Sequence, residues 1–124
     1  MSKSTYDYLR DLQTQLGFLN EFIHESPDAF RTEMKTQYAV LRSFEIIGEI
    51  VKRLPPETLQ SHPEVNWKQV KGLRDFLAHN YDLVDLDLVG IAIDDLPKLL
   101  AAVNAMELQY RPATQENDLE QSGL

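Results

Sequence analysis

"VLRSFEIIGEIVKRL", residues 40–54, decides how this chain is read. Val40, Leu41, Phe44, Ile47, Val51 and Leu54 recur at spacings of three and four, which puts them on one broad helical face. Arg42, Glu45, Glu49 and Arg53 fall in a stripe about 80° wide on the opposite side of the same helix. Arg42/Glu45 and Glu49/Arg53 are spaced to form weak surface ion pairs. Ile46 and Ile50 lie beside that stripe, away from the centre of the apolar face. Apolar side chains flanking a charged line predict a second buried surface, which in so small a chain points to an interface between two copies. Gly48 lies within the apolar face. A mid-helix glycine costs about 1 kcal/mol relative to alanine, so its expected use is to let another helix approach closely.

The same period extends in both directions. Leu9, Leu12, Leu16, Leu19 and Ile23 predict a helix over about residues 5–25. Ser26 is a candidate N-cap and Pro27 a first-turn residue for a second helix over 28–54. "LPPETLQSHPEVNW", broken by Pro55, Pro56 and Pro63, reads as irregular. Asn66 can cap a third helix, "WKQVKGLRDFLAH", with Trp67 as a core anchor beside Val70, Leu73 and Leu77. A fourth should start near Asp85 or Asp87 and run to about Leu108, with Leu88, Ile91, Leu96, Leu99, Leu100 and Val103 on its apolar face. Pro97 should kink or divide it. No segment sustains the two-residue alternation of a strand. The expected fold is all-α, an antiparallel four-helix bundle with an additional short or kinked helix, over residues 1–110. A polar, aperiodic tail over 111–124 is expected to be flexible.

The 124 residues suit one domain, and the hydrophobic share of 43% suffices for one small core. With no cysteine, disulfides and thiolate metal sites are excluded. "MSKSTYDYLR" lacks the apolar core of a signal peptide, and no apolar run approaches the ~20 residues that span a bilayer. A cytoplasmic location is expected. The formal net charge of −8 speaks against nucleic-acid binding if taken as a whole. Its distribution changes that argument. Between Arg31 and Arg74 eight Lys and Arg stand against five Glu, a net of +3, so the rest of the chain carries −11. A local basic surface on an acidic protein is compatible with this pattern.

"RDFLAHNY", residues 74–81, carries the chemistry. Arg74 and His79 are five residues apart, about 140° around an ideal helix. They share no face unless the helix ends near Ala78 or His79 and the histidine turns back. The set suits phosphodiester cleavage. Histidine moves a proton near neutral pH. Arginine holds a phosphate by a fork and stabilises its transition-state charge. Tyr81 can position substrate or stack on a base. RNA brings its own nucleophile, the 2′-OH, so the chemistry demands neither metal nor cofactor. A plainer account also fits these spacings: His79 favoured by a helix C-terminus, Arg74 paired with Glu45 or Asp75, and Tyr81 packed under the bundle. His24 and His62 have no ligand spacing and read as surface histidines.

"RSFEIIGEIVKRLP", "VNWKQVKGLRDFLAHNYDLVD" and "LPKLL" strongly resemble the HepT subfamily of HEPN-domain toxins, over roughly residues 6–108. The resemblance implies a dimeric helical bundle and a metal-independent endoribonuclease, with two motif copies meeting across the dimer cleft. It implies that Arg74 and His79 are catalytic and that Tyr81 is the third motif residue. Arg42, Glu45 and Asp75 become candidates for lining the cleft. It also implies a cognate partner, a minimal nucleotidyltransferase antitoxin of the MntA type, which neutralises the toxin by adenylylating the motif tyrosine. The RNA substrate could be a tRNA or an mRNA. Asp75 occupies a position where many relatives carry a polar residue such as Asn, and an acid there is expected to weaken phosphate binding. The rival reading is a non-catalytic HEPN module that binds a nucleotidyltransferase or a nucleotide.

Overall fold

The helical period of the sequence is realised along the described chain. A computed structural model describes residues 3–25, 28–79 and 86–113, with backbone alone at 25, 76–79 and 86–88. Its helices are α1 (Thr5–Glu25), α2 (Ala29–Thr32), α3 (Met34–Lys52), α4 (Pro56–Gln60), α5 (Trp67–His79), α6 (Leu86–Asp94) and α7 (Leu96–Tyr110), with no strand among the described residues. The protein is the all-α bundle that the periodicity predicts. α3 packs on α1 along one side and on α5 along another, while α7 lies against α1. No helix among the described residues is long and apolar enough to cross a membrane.

The predicted faces build the core. Leu9, Leu12, Leu16 and Leu19 of α1 are fully buried, as are Val40, Ile47 and Val51 of α3. Leu41, Phe44, Leu54, Trp67, Leu73, Leu96, Leu99 and Val103 are buried with them. Full burial of one such side chain contributes about 1.5–3 kcal/mol, so this shared apolar seam dominates the stability. Ile91 departs from expectation. It is 52% exposed, and Val89 supplies the buried position of α6 instead.

Three other departures have physical causes. The expected single helix over 28–54 is broken at Glu33, which is extended at φ −108° and ψ 118°. The break leaves α2 as one separate turn that buries Ala29 and Phe30 in the core. Ser26 and Pro27, assigned to the start of that helix, lie outside the described residues. The proline-rich stretch is not wholly irregular, because Pro56 sits in the first turn of α4, where its missing N–H costs nothing. α4 buries Thr58 completely, with its hydroxyl 2.8 Å from that of Tyr110. The last predicted helix is divided at Asp95, with Pro97 in the first turn of α7. Asp85 lies outside the described residues, and α6 begins at Leu86.

Two anticipated details are present. Asn66 Oδ1 accepts the backbone N–H of Gln69 at 3.1 Å, capping α5. Trp67 is buried and donates its indole N–H to the His62 carbonyl at 2.9 Å. His62 itself pairs with Glu64 at 2.8 Å.

The α1–α7 seam is closed by polar groups. Gln13 donates to Asn104 at 3.0 Å. Glu107, only 3% exposed, accepts from Arg111 at 2.8, 3.0 and 3.1 Å. These bonds, helped by Tyr6 and opposed by burial, hold its carboxyl below the usual carboxylate range. A depressed folded-state pKa stabilises the fold above the unfolded value, and that contribution is lost as pH falls through the folded value. Below about pH 4, urea midpoints of the parent should therefore drop more steeply than those of Glu107→Gln. Parallel acid limbs would remove Glu107 from this role.

At Gly48, α3 and α5 approach closely. A Cβ there would overlap the Cβ of Arg74 and lie 2.9 Å from its Cγ and 3.2 Å from the Val70 carbonyl oxygen. Alanine would gain about 1 kcal/mol of helix propensity but incur about 1–3 kcal/mol of overpacking. Gly48→Ala should thus lower the thermal midpoint by several degrees in circular dichroism. A midpoint at or above the parent's would mean that the two helices separate there freely.

Candidate functional site

Arg74 is brought to the α3–α5 seam by that close approach. Its Cβ and Cγ stand against Gly48, and its side chain, 30% exposed, runs on to Glu49 of α3. It opens onto a shallow pocket of about 180 Å³ lined by Arg42, Glu45, Ile46, Glu49, Ile50 and Arg74. Ile46 and Ile50 are half-buried, beside the charged stripe where the helical wheel places them.

The electrostatics form an alternating chain. Arg53 Nη2 lies 3.5 Å from Glu49 Oε1, and Arg74 Nε forms an ion pair with Glu49 Oε2 at 3.1 Å. Arg74 Nη1 donates to Asp75 Oδ1 at 3.1 Å, and Lys52 Nζ donates to that same oxygen. Three cations and two carboxylates leave a net charge of +1 on the chain. Lys52 first, then Arg74, holds the Asp75 carboxyl below the ordinary carboxylate range. Asp75 therefore faces a cation on each side. Each pair is partly exposed and screened by solvent, so its direct contribution to stability is small. Their main consequence is orientation.

The predicted residues are distributed as follows. Arg74, Arg42 and Glu45 share the pocket, with Arg42 donating to Glu45 at 3.1 Å. Asp75 adjoins Arg74 but does not line the pocket. Glu45, one suggested partner of Arg74, bonds Arg42 instead, and Glu49 takes the place beside Arg74. His79 is the last residue of α5, where a helix end is expected, and its side chain lies outside the described residues. Tyr81 lies outside them altogether.

Glu49 and Lys52 were legible only in part. Glu49 reads as a surface partner of Arg53, which it is, and Lys52 reads as an ordinary cation. The signal for them is Gly48, whose expected role of admitting a second helix extends to its neighbours. If a glycine marks where a second helix closes in, the residues one and four positions on are next to that helix and able to bond across it.

A larger cavity of about 330 Å³ lies elsewhere, between α5 and the α6–α7 joint, with Phe44, Val70, Leu73 and Leu99 in its wall and Glu64, Asp95 and Lys98 among its polar lining residues. Arg74 is not among its described lining residues.

Comparisons with known proteins agree on one family. A family model described as "Ribonuclease HepT-like" matches residues 12–106. A "Probable ribonuclease HepT" of Thermococcus cleftensis is 37% identical over 101 residues, covering 80% of this chain and 92% of that protein. A "Putative RNase" of Methanocaldococcus jannaschii is 38% identical over 93 residues, 74% of each chain. Another protein so named, from Caldanaerobacter subterraneus, is 35% identical over 99 residues, 78% of this chain and 88% of its own. No solved structure matches significantly.

Proposed function

The chain belongs to the HepT-like ribonuclease family, and from that premise we propose that it is the toxin of a type VII-like toxin–antitoxin pair, a metal-independent endoribonuclease. The observation that carries this reading is the position of Arg74. It reaches a pocket at the α3–α5 seam from the helix that ends at His79.

The chemistry assigns each group a task. His79 takes the proton of a ribose 2′-OH as its oxygen attacks the adjacent phosphorus. Arg74 binds the phosphate and stabilises the added charge of the pentavalent phosphorane. The bond to the 5′-oxygen breaks, and that oxygen leaves with a proton from an acid, for which the His79 of a second copy is the candidate. The products are a 2′,3′-cyclic phosphate and a 5′-OH end. Two copies suit this scheme because, within one helix, the Cα positions of residues 74 and 79 are turned about 140° apart. Half-buried Ile46 and Ile50 at the pocket support the homodimer. Arg42 and Glu45 then line the cleft.

Tyr81 is the proposed switch. Adenylylation by an MntA-type nucleotidyltransferase would add bulk and negative charge in the cleft and exclude RNA. The rival, a non-catalytic binding module, drew its support from the acidic net charge and from Asp75. The bond between Asp75 and Lys52 weakens the second argument, because that carboxylate is already matched by a cation.

The first test is RNA cleavage by unmodified protein, made without any partner and held in excess chelator. The parent should cut RNA and leave cyclic phosphate ends, and a folded His79→Ala should not. Equal cleavage by both would reject the assignment of His79. In cells, coexpression with the cognate nucleotidyltransferase should silence the parent toxin while Tyr81→Phe stays toxic. Equal protection of both would exclude Tyr81 as the switch.

A further inference from the structure

We propose that Glu49 and Lys52 are positioning residues for Arg74. Glu49 holds the Nε edge of its guanidinium, and Lys52 restrains the carboxylate that holds Nη1. The proposal rests on the reading of Arg74 as the phosphate-binding group.

A guanidinium carries five N–H donors in one plane. On a flexible stem it samples many orientations, and freezing it when substrate binds costs entropy. Here two carboxylates on different helices contact the guanidinium. Glu49 reaches from α3 to an ion pair with Nε at 3.1 Å, and Asp75 on α5 accepts a hydrogen bond from Nη1 at 3.1 Å. Among the described residues neither contact uses Nη2. The plane is thereby restrained at two points, with Nη2 turned to neither carboxylate.

Two carboxylates against one arginine create a difficulty. Alone, the three groups sum to −1, which repels the phosphate that Arg74 is meant to hold. Lys52 relieves it from the Asp75 side and Arg53 from the Glu49 side. Lys52 stands three residues after Glu49 on α3, so both restraints on Arg74 originate in one turn of one helix. Removing Lys52 leaves Arg53, Glu49, Arg74 and Asp75 with a net charge of zero. Asp75 then lacks its second cation, and its charge falls wholly on Arg74.

Two measurements test this. The first reads orientation without reference to activity. In 15N relaxation NMR at pH 6 and low temperature, the Nε order parameter of Arg74, identified by loss of its signal in Arg74→Lys, should be high in the parent and fall below about 0.6 in Glu49→Ala. Equal order parameters would overturn the proposal. The second reads cleavage of a mixed-sequence RNA oligonucleotide. Lys52→Met should raise KM by roughly tenfold with a smaller change in kcat. Adding Asp75→Asn to Lys52→Met should restore KM most of the way, because the unmatched charge is gone. A merely structural role for Lys52 predicts no such rescue, and its absence would overturn the assignment of Lys52. Should the parent fail to cut RNA at all, the ribonuclease reading falls, while the relaxation measurement still decides whether Glu49 holds Arg74.

Discussion

The contact between Gly48 and Arg74 organises this molecule. Only at a residue without a side chain can the backbone of α5 come so near to α3. That approach sets the spacing of the two helices. It also fixes where the arginine leaves the packed interior and which groups it meets on the way out. Had the helices crossed a few ångströms further apart, Glu49 and Lys52 would not span the gap, and the guanidinium would wave in solvent. The site is a by-product of a packing decision made in the core.

The electrostatics answer a difficulty raised by composition. A chain carrying −8 is an unpromising ligand for a polyanion. Along the α3–α5 seam, however, cations and carboxylates alternate and the cations are one in excess. Local order in the charges outweighs their global sum, because screening at physiological salt limits the reach of distant carboxylates to about 8 Å. The acidic residues concentrated toward the chain ends bear on solubility more than on the pocket.

Much of this was legible beforehand. The boundaries of α1 and α5 follow from apolar spacing and from the Asn66 cap, since both helices bury a regular stripe and have clear ends. Arg74, Arg42 and Glu45 were found by residue type and by position on the wheel. The departures have separate causes. Pro56 reads in sequence as a breaker yet starts a helix, since a proline in the first turn looks like a proline in a loop. The break at Glu33 has no local signal of that kind, because it serves the burial of Ala29 and Phe30, a tertiary demand. Ile91 fits the helical period yet is exposed, in a helix that ends at Asp94 where one helix running to Leu108 is expected. Glu49 and Lys52 were hidden for a different reason: their partner lies on another helix, and pairing rules for one helix do not look across a gap.

α3 is a helix with two audiences. Its inner side, with Val40, Phe44, Ile47 and Val51, belongs to the core, and its outer side, with Arg42, Glu45 and Glu49, belongs to the pocket. The two sets share a backbone but no position. Selection can therefore revise the outer row, letter by letter, while the fold beneath it stays intact. Related chains could diverge in the RNA they accept and keep one architecture. The exception is Gly48, the single residue answerable to both sides.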